Sequence, residues 1–214
     1  MLLFDCYKPL SSKLSIRKII SLFGRMKMSQ PNADNNLEVA TLAAGCFWCT
    51  EAAYGIIRGI ERIEPGYTGG TVPDPSYEEV STGTTGHAEA AQIYFNPKVI
   101  SYREILEVFF TIHDPTSLNK QGADVGPQYR SAIFYNSSEQ KATAEQLISE
   151  LTKEGIWDKP IVTQVVPLKE FYKAETYHKD YYKKHPKEPY CQVVIAPKIA
   201  KLQHRFIDKI KTPL

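Results

Sequence analysis

Short apolar runs recur along the chain from Leu37 onward, separated by polar turns and by stretches of helical periodicity. Runs of four to eight apolar or β-branched residues, bounded by Gly, Pro, Asn or Asp, are typical of buried strands. The pattern predicts strands at residues 37–43, 60–66, 89–95, 128–135 and 163–168, with a further short strand at residues 192–195.

Helices are predicted where apolar residues repeat every three to four positions. Ser101 and Glu104 form a capping box ahead of a stripe ending in Phe110, and Ser137 with Gln140 marks the start of a second such helix. The remaining predicted helices are residues 46–58, a short turn at 76–80, a segment around 175–182, and a final helix opened by Pro197.

The order of these elements is β-α-β followed by a second β-α-β. This order predicts an α+β fold with a ferredoxin-like split β-α-β core, a mixed and largely antiparallel sheet with helices packed on one face. An irregular segment and a helix complete the C-terminal part. Residues 113–127 carry no regular pattern, and loops of that length are usually functional or disordered.

Residues 1–36 differ from the rest, so we predict a single catalytic domain at residues 37–214. Residues 1–28 hold six of the 26 Lys and Arg residues but one of the 24 acidic residues, with apolar positions at helical spacing. That composition is typical of organellar transit peptides, and equally of a dispensable extension or an upstream start before Met26 or Met28. We therefore expect a cytoplasmic protein, or alternatively a mitochondrial or chloroplast one.

Composition argues against several classes of partner. The chain is 43% hydrophobic and 23% charged with a formal net charge of +2, and it contains no apolar run long enough to span a membrane. Beyond residues 1–28 the charge is slightly acidic, so no nucleic-acid partner is expected. Four cysteines are too few for a disulfide scaffold, which favours a reducing compartment. We expect a monomer that uses no metal or other cofactor.

The densest chemical signal is Gly45-Cys46-Phe47-Trp48-Cys49, at the junction of a strand and a helix. Backbone N–H groups and the dipole at a helix start favour a thiolate, so this position predicts a lowered pKa for Cys46 and nucleophilic sulfur chemistry. Phe47 and Trp48 offer an apolar wall to an uncharged group. The alternative is that both cysteines simply pack in the core.

Three further motifs follow in order, at residues 66–70, 85–89 and 122–131. Together with residues 45–49 they resemble the peptide methionine sulfoxide reductase type A family, and the resemblance runs from about Leu37 to about Ile210. It implies reduction of methionine-S-sulfoxide, free or in proteins, to methionine through a sulfenic acid and an intramolecular disulfide. Thioredoxin, or dithiothreitol in the test tube, is the implied reductant.

The resemblance also implies the roles of the main catalytic residues. Cys46 matches the nucleophile, and Glu89 matches the general acid, which desolvation keeps protonated. Glu89 taken alone reads as a solvated carboxylate at a strand end. Tyr77 and Tyr129 are placed to hold the sulfoxide oxygen by hydrogen bonds.

Other site residues are implied less directly. Phe47 and Trp48 match the surface that receives the methyl group of the substrate. Asp124 is implied to hold a water or Tyr129, and His178 matches a histidine that supports the substrate site from behind.

Two thiols are candidates for converting the Cys46 sulfenic acid to a disulfide. Cys191 lies in a C-terminal segment that supplies the recycling thiol in many family members, and we favour it. Cys49, one helical turn after Cys46, is a close second, although many relatives carry Gly there. A purely structural Cys49 remains an alternative.

Two other classes of protein compete with the reductase interpretation. A zinc-binding protein would use Cys46, Cys49, Cys191 and a histidine, but one Cys-x-x-Cys is half of a tetrahedral site. A thioredoxin-like disulfide oxidoreductase would also carry Cys-x-x-Cys, but on a strand order that this chain does not suggest.

Overall fold

The computed structural model describes residues 36–211, so the predictions made for residues 1–35 lie outside the described part. Its helices are α1 (Phe47–Gly55), α2 (Tyr77–Ser81), α3 (Tyr102–Ile112), α4 (Ser138–Glu154), α5 (Tyr181–Lys184) and α6 (Ala196–Arg205). Its strands are β1 (Glu38–Ala44), β2 (Ile60–Thr68), β3 (Ala88–Phe95), β4 (Lys120–Gln121), β5 (Asp124–Val125), β6 (Ser131–Tyr135), β7 (Gln164–Pro167) and β8 (Phe171–Lys173).

Six strands form one sheet in the order β7-β6-β1-β3-β2-β8. The central four strands pair antiparallel, β1 with β3 and β6 and β2 with β3, and two of the connections run through α1 and α3. This arrangement is the predicted ferredoxin-like split β-α-β core. At the edges β7 runs parallel to β6, and β8 pairs antiparallel with β2.

The main core lies between one face of the sheet and the helices. Ala40, Leu42 and Ala44 of β1 alternate toward this face and pack with buried residues of α1, α3, α4 and α6. The opposite face is lined mainly by alanines and is covered in part by Leu168 and Phe171. Two-residue alternation along β1 and β3 therefore decides which side chains meet the helices, including Glu89.

The predicted helix starts occur where the capping residues indicated. Ser101 accepts a hydrogen bond from the Glu104 N–H, and the Glu104 carboxylate accepts from the Ser101 N–H, which completes a capping box on α3. Ser137 accepts from the Gln140 N–H at the start of α4. No helix among the described residues has the length and apolarity needed to cross a bilayer.

The C-terminal third departs from the prediction in three places. Residues 192–195 are not a strand, because Cys191–Ile195 form a π-helical turn that continues into α6. The helix predicted around 175–182 is a 3₁₀ turn at Thr176–His178 followed by α5, interrupted at Asp180, whose φ is +55°. β8 was not predicted, and the small β4–β5 hairpin occupies part of the predicted loop 113–127.

Candidate active site

Cys46 lies at the junction of β1 and α1, as its position in the sequence predicts. Gly45 turns the chain with φ +86°, and a Cβ at this position would lie 2.7 Å from Gln121, so only glycine fits the turn. Cys46 is the N-cap of α1, and its carbonyl accepts the Cys49 N–H at 3.1 Å. Its side chain makes no hydrogen bond to the backbone N–H groups at the helix start, so the thiol is free to interact with neighbouring side chains.

Glu89 reaches the same helix start from β3. One carboxyl oxygen, Oε2, accepts the Phe47 backbone N–H at 3.0 Å, and the residue is 2% exposed. Burial raises the pKa of Glu89 to about 8, with the Phe47 N–H opposing that rise and the charge of Asp124 adding to it. The carboxyl group is therefore a neutral acid at pH 7, beside the Cys46 thiol.

The thiol of Cys46 does not have the lowered pKa that its helix start predicts. Burial raises that pKa well above the ordinary value, and the contacts with Cys49 and Glu89 raise it further. The prediction is wrong for the reduced protein because desolvation of a thiolate outweighs the helix dipole. A hydrogen bond from Cys46 and the positive charge of Lys198 instead lower the pKa of Cys49 to about 6.

Tyr190 connects the thiol pair to the β4–β5 hairpin. Its hydroxyl lies 3.8 Å from Cys49 Sγ and donates a 2.7 Å hydrogen bond to Asp124 Oδ2. The predicted partner of Asp124 was a water or Tyr129, whereas the structure pairs it with Tyr190. Tyr190 was not among the predicted site residues, and its only signal in the sequence is its position directly before Cys191.

Aromatic rings form the predicted apolar wall beside the thiol. The Trp48 ring stacks on Tyr181 at a centroid distance of 3.8 Å, and its indole N–H donates to His178 Nδ1 at 3.1 Å. The Phe47 ring lies 5.0 Å from the imidazole of His178. His178 is almost completely buried behind this wall, so its contact with Trp48 orients the wall rather than touching a molecule in the cleft.

Tyr77 on α2 and Tyr129 in the 3₁₀ turn Pro127–Tyr129 are both half-buried and near Glu89. Burial raises the pKa of Tyr77 to about 12 and also raises that of Tyr129, and the charge of Glu89 adds to both shifts. Both phenols therefore stay protonated and remain hydrogen-bond donors at neutral pH. Glu175 fixes the start of α2 by accepting the Tyr77 N–H at 2.9 Å.

Cys191 lies in the turn that precedes α6. It begins the π-helical turn, has no exposed surface, and belongs to the same hydrophobic cluster as Cys46 and Cys49. All three are free thiols. Burial raises the pKa of Cys191, and the charges of Glu188 and Cys49 add to the rise.

His87 belongs to a candidate motif but has a structural environment. Its Nδ1 accepts the Gly70 N–H at 3.1 Å, and its Nε2 lies 2.7 Å from the Val72 carbonyl oxygen. Both ring nitrogens are therefore occupied in holding the loop after β2. Within residues 36–211, no three His, Cys, Asp or Glu side chains are grouped closely enough to hold a metal ion.

Comparison with known proteins identifies the family to which this site belongs. Residues 38–210 match the family model of peptide methionine sulfoxide reductase. The chain belongs to the peptide methionine sulfoxide reductase family. It is therefore an oxidoreductase, and the resemblance on which the sequence analysis relied is confirmed over nearly all of the described residues.

Relatives from distant organisms show the same match. Proteins named peptide methionine sulfoxide reductase MsrA are 55% identical in Saccharolobus solfataricus over 82% of this chain and 98% of theirs, and 52% identical in Deinococcus radiodurans over 86% and 88%. Each match covers most of both chains, so the likeness extends across the whole catalytic domain of this reductase family.

Solved structures support the fold assignment. The reduced form of Mxr1 from Saccharomyces cerevisiae has a TM-score of 0.66 at 38% identity, covering 73% of this chain and 90% of that one. Methionine sulfoxide reductase A of Corynebacterium diphtheriae gives 0.64 at 30% identity over 75% and 78%. The α+β architecture predicted for this reductase is thus confirmed.

Proposed function

We propose that this protein reduces methionine sulfoxide, free and within proteins, to methionine, with Cys46 as nucleophile and Glu89 as general acid. The observation that carries the proposal is the neutral, buried carboxyl of Glu89 beside the Cys46 thiol at the start of α1. A sulfoxide needs both a soft nucleophile for its sulfur and a proton for its oxygen, and this pair supplies them.

The reaction divides into two steps whose atoms balance. The Cys46 thiolate forms a bond to the substrate sulfur while Glu89 gives its proton to the sulfoxide oxygen. The oxygen then passes to Cys46 as the substrate sulfur loses both its bond to oxygen and its new bond to the Cys46 sulfur, which releases methionine and leaves a sulfenic acid. A second thiolate forms a disulfide with Cys46, and the sulfenic oxygen leaves as water after taking one more proton.

Apolar and polar residues of the cleft contact different parts of the substrate. Phe47 and Trp48 offer the aromatic surface for the methyl group, and the phenols of Tyr77 and Tyr129 donate to the oxygen. His178 supports Trp48 from behind, and Asp124 supports Tyr190. We expect a preference for the S epimer because the family resemblance implies it. The distances within the site do not by themselves select one epimer.

The contacts favour Cys49 as the first thiol to condense with the oxidised Cys46. Cys49 lies one helical turn after Cys46, with its backbone N–H donating to the Cys46 carbonyl at 3.1 Å, whereas Cys191 reaches the same hydrophobic cluster from the π-helical turn. Exchange with Cys191 would carry the disulfide outward to thioredoxin. This order differs from the sequence-based preference for Cys191 as the direct resolver, and it gives both thiols a role.

Turnover of matched S and R methyl sulfoxides with dithiothreitol, for wild type and Cys46→Ser, tests the proposal. We expect turnover of the S epimer alone and complete loss in Cys46→Ser. Retained activity in Cys46→Ser would overturn the assignment of the nucleophile. The control is Cys191→Ser, which should still release one methionine per enzyme without reductant.

The resolving thiol is assigned by mapping the disulfide after one turnover. We expect a Cys46–Cys49 bond in Cys191→Ser, and a Cys49–Cys191 bond in the wild type. Thioredoxin-driven turnover should be lost in Cys191→Ser while the first methionine is still released. A Cys46–Cys191 bond formed at the wild-type rate in Cys49→Ser would instead make Cys191 the direct resolver.

We propose in addition that the enzyme acts as a monomer without a metal or other cofactor, and without a nucleic-acid or membrane partner. The chemistry above needs only thiols, a carboxyl group and phenols. Metal analysis of the purified protein together with its mass in solution tests this; stoichiometric zinc held by thiolates would contradict it.

A further inference from the structure

Tyr77 is held in place by the C-terminal part of the chain as well as by its own helix. α2, the helix that it begins, is five residues long, and helices this short have little stability of their own. The capping box of Ser76 and Glu79 satisfies the N–H groups of those two residues, but the Tyr77 N–H, at the first helical position, has no acceptor within the helix. Glu175 Oε1, 98 positions further along the chain, accepts this N–H at 2.9 Å.

The second oxygen of the Glu175 carboxylate has its partner on the sheet. Oε2 accepts a hydrogen bond from the Tyr67 hydroxyl at 2.8 Å. Tyr67 lies on β2 directly opposite Glu89 of β3 and has no exposed surface. The side chain of Glu175 is 35% exposed, so water could hydrate its carboxylate, yet both oxygens instead join the start of α2 to the strand beside Glu89.

The 3₁₀ turn that follows Glu175 contacts the ring of the same tyrosine. This turn, Thr176–His178, closes where the Glu175 carbonyl accepts the His178 N–H at 3.0 Å. The His178 imidazole lies 4.5 Å from the Tyr77 ring, centroid to centroid, and its Nδ1 accepts the Trp48 indole N–H. One short segment therefore holds the backbone of Tyr77 through Glu175 and its ring through His178, and the same segment contacts Trp48.

We propose that Glu175 is a positioning residue of the reductase step, which holds the Tyr77 phenol in place relative to Glu89 and Trp48. This inference rests on the proposed function, since it assumes that Tyr77 donates to the sulfoxide oxygen. A donor stabilises the charge that develops on an oxygen only at hydrogen-bond distance, and a displacement of about 1 Å can slow a reaction on the order of 100-fold. Glu175 acts through Tyr77 and does not itself touch the substrate.

The negative charge of Glu175 could instead act on His178. Glu175 Oε2 lies 3.7 Å from His178 Nε2, which makes an ion pair only if the imidazole is protonated. His178 Nδ1 already accepts the indole N–H, and burial lowers the pKa of His178, so the imidazole is neutral at pH 7. A neutral ring gives the carboxylate no opposite charge, and we therefore assign the effect of Glu175 to its hydrogen bonds.

The first test is the single-turnover rate of methionine release from a peptide with one methionine sulfoxide, measured without reductant over a range of peptide concentrations. Glu175→Ala should lower the saturated rate about 10- to 100-fold and change the half-saturating concentration less than about 2-fold, because the contact of Tyr77 with the oxygen strengthens in the transition state. Glu175→Gln keeps an acceptor for the Tyr77 N–H and should recover most of the rate. The matched control is Glu170→Ala, which removes an exposed carboxylate from the same part of the chain and should behave as wild type.

A double-mutant cycle with Tyr77→Phe separates positioning from a general structural defect. Tyr77→Phe removes the hydroxyl through which Glu175 is proposed to act, so adding Glu175→Ala to this variant should slow release by less than about 2-fold. Two outcomes overturn the inference. One is equal slowing by Glu175→Ala in the wild type and in Tyr77→Phe; the other is a loss that Glu175→Gln does not recover, which would point to the charge.

Failure of this inference and failure of the proposed function give different results. Methionine release by Cys46→Ser at the wild-type rate would overturn the proposed function and the inference with it. Slow release in Tyr77→Phe together with wild-type release in Glu175→Ala would overturn the inference alone.

Tyr67→Phe tests the same network with a smaller change, should Glu175→Ala not fold. It removes the hydroxyl that donates to Glu175 Oε2 and keeps the buried ring. Release should slow about 3-fold, the effect expected from one neutral hydrogen bond, with no further slowing when Tyr77→Phe is also present. Release at the wild-type rate, or the same slowing in the Tyr77→Phe background, would overturn the inference.

Hydrogen exchange gives a measurement that does not depend on activity. The Tyr77 amide should exchange with solvent deuterium slowly in the wild type and in Glu175→Gln, and faster in Glu175→Ala, because only the first two retain an acceptor for it. Equal exchange in the wild type and Glu175→Ala would overturn the inference.

Discussion

At the scale of single residues, burial rather than sequence position controls the ionisation of the site. Cys46 and Glu89 both hold their protons because their charged forms would be desolvated. Cys49 is equally buried, but the hydrogen bond from Cys46 and the charge of Lys198 favour its thiolate. Burial thus keeps two neighbouring groups protonated at a pH where the third is more easily ionised.

These states predict a bell-shaped pH dependence for kcat/KM of the dithiothreitol-driven reaction. The acid limb should fall near pH 6, where the one thiolate shared by the Cys46–Cys49 pair is protonated and no nucleophile remains, and the alkaline limb near pH 8, where Glu89 loses its proton. Glu89→Gln should remove the alkaline limb and lower the rate at pH 7 by about 100-fold or more. An alkaline limb that persists unchanged in Glu89→Gln would contradict the assignment.

His178 should act as a positioning residue through Trp48. Its Nδ1 accepts the indole N–H, so the ring is neutral at this nitrogen, and burial lowers its pKa further. His178→Ala should raise KM for the sulfoxide about 5- to 20-fold, as expected when one buried hydrogen bond is lost. His178→Asn keeps an acceptor and should recover most of that loss, with no change in the pH profile of either variant.

At the scale of elements, helix starts position most of the chemistry. α1 presents Cys46, and Glu175 fixes the first turn of α2, which carries Tyr77. These starts were predictable where a capping residue or a motif marked them. The π-helical turn at Cys191–Ile195 was not predictable, because its apolar residues fit a short strand equally well and only its continuation into α6 decides between the two.

The capping box of α3 offers a test at this scale. Ser101→Ala removes the side-chain acceptor for the Glu104 N–H and should lower the free energy of unfolding by about 1 kcal/mol, measured by urea denaturation. Ser138→Ala, just inside α4 and already followed by a regular turn, is the matched control and should change stability by less than about 0.5 kcal/mol.

At the scale of the whole molecule, the four central strands and the two crossover helices were predictable from short apolar runs, from capping residues and from the motif at Cys46. β1 and β3 are short apolar runs, whereas α3 combines a capping box with an apolar stripe. The edges were not: β8 is three residues long and exists because Gly66 allows Tyr172 to approach β2, where a Cβ would lie 2.3 Å from the Tyr172 carbonyl oxygen. Contacts of this kind join residues far apart in the sequence, so no local sequence pattern indicates them.

The residues that form the site were predictable from the sequence, but several of the contacts between them were not. Cys46, Phe47, Trp48 and Glu89 were found through motifs, and the structure brings them together around the start of α1. The hydrogen bond between Tyr190 and Asp124 joins residues 66 positions apart, and the pKa of Cys49 also responds to Lys198 on the last helix; no spacing rule connects these positions.

Glu89 also links the pH to the stability of the whole domain. Its pKa is raised on folding, so its contribution is fully present below the unfolded pKa of about 4.3 and is lost as pH rises through about 8. Glu89→Gln should therefore be more stable than wild type at pH 9 by on the order of 2–4 kcal/mol, and nearly equal to it at pH 5. Urea midpoints at the two pH values measure this.

The complete burial of Cys191 affects how the enzyme is regenerated after each turnover. A protein dithiol cannot touch a sulfur that has no surface, so each regeneration requires the turn at Cys191–Ile195 to open briefly. Regeneration by a protein should consequently show a steeper temperature dependence than the oxygen transfer itself, and backbone amides of this turn should exchange with solvent deuterium faster than those of β1.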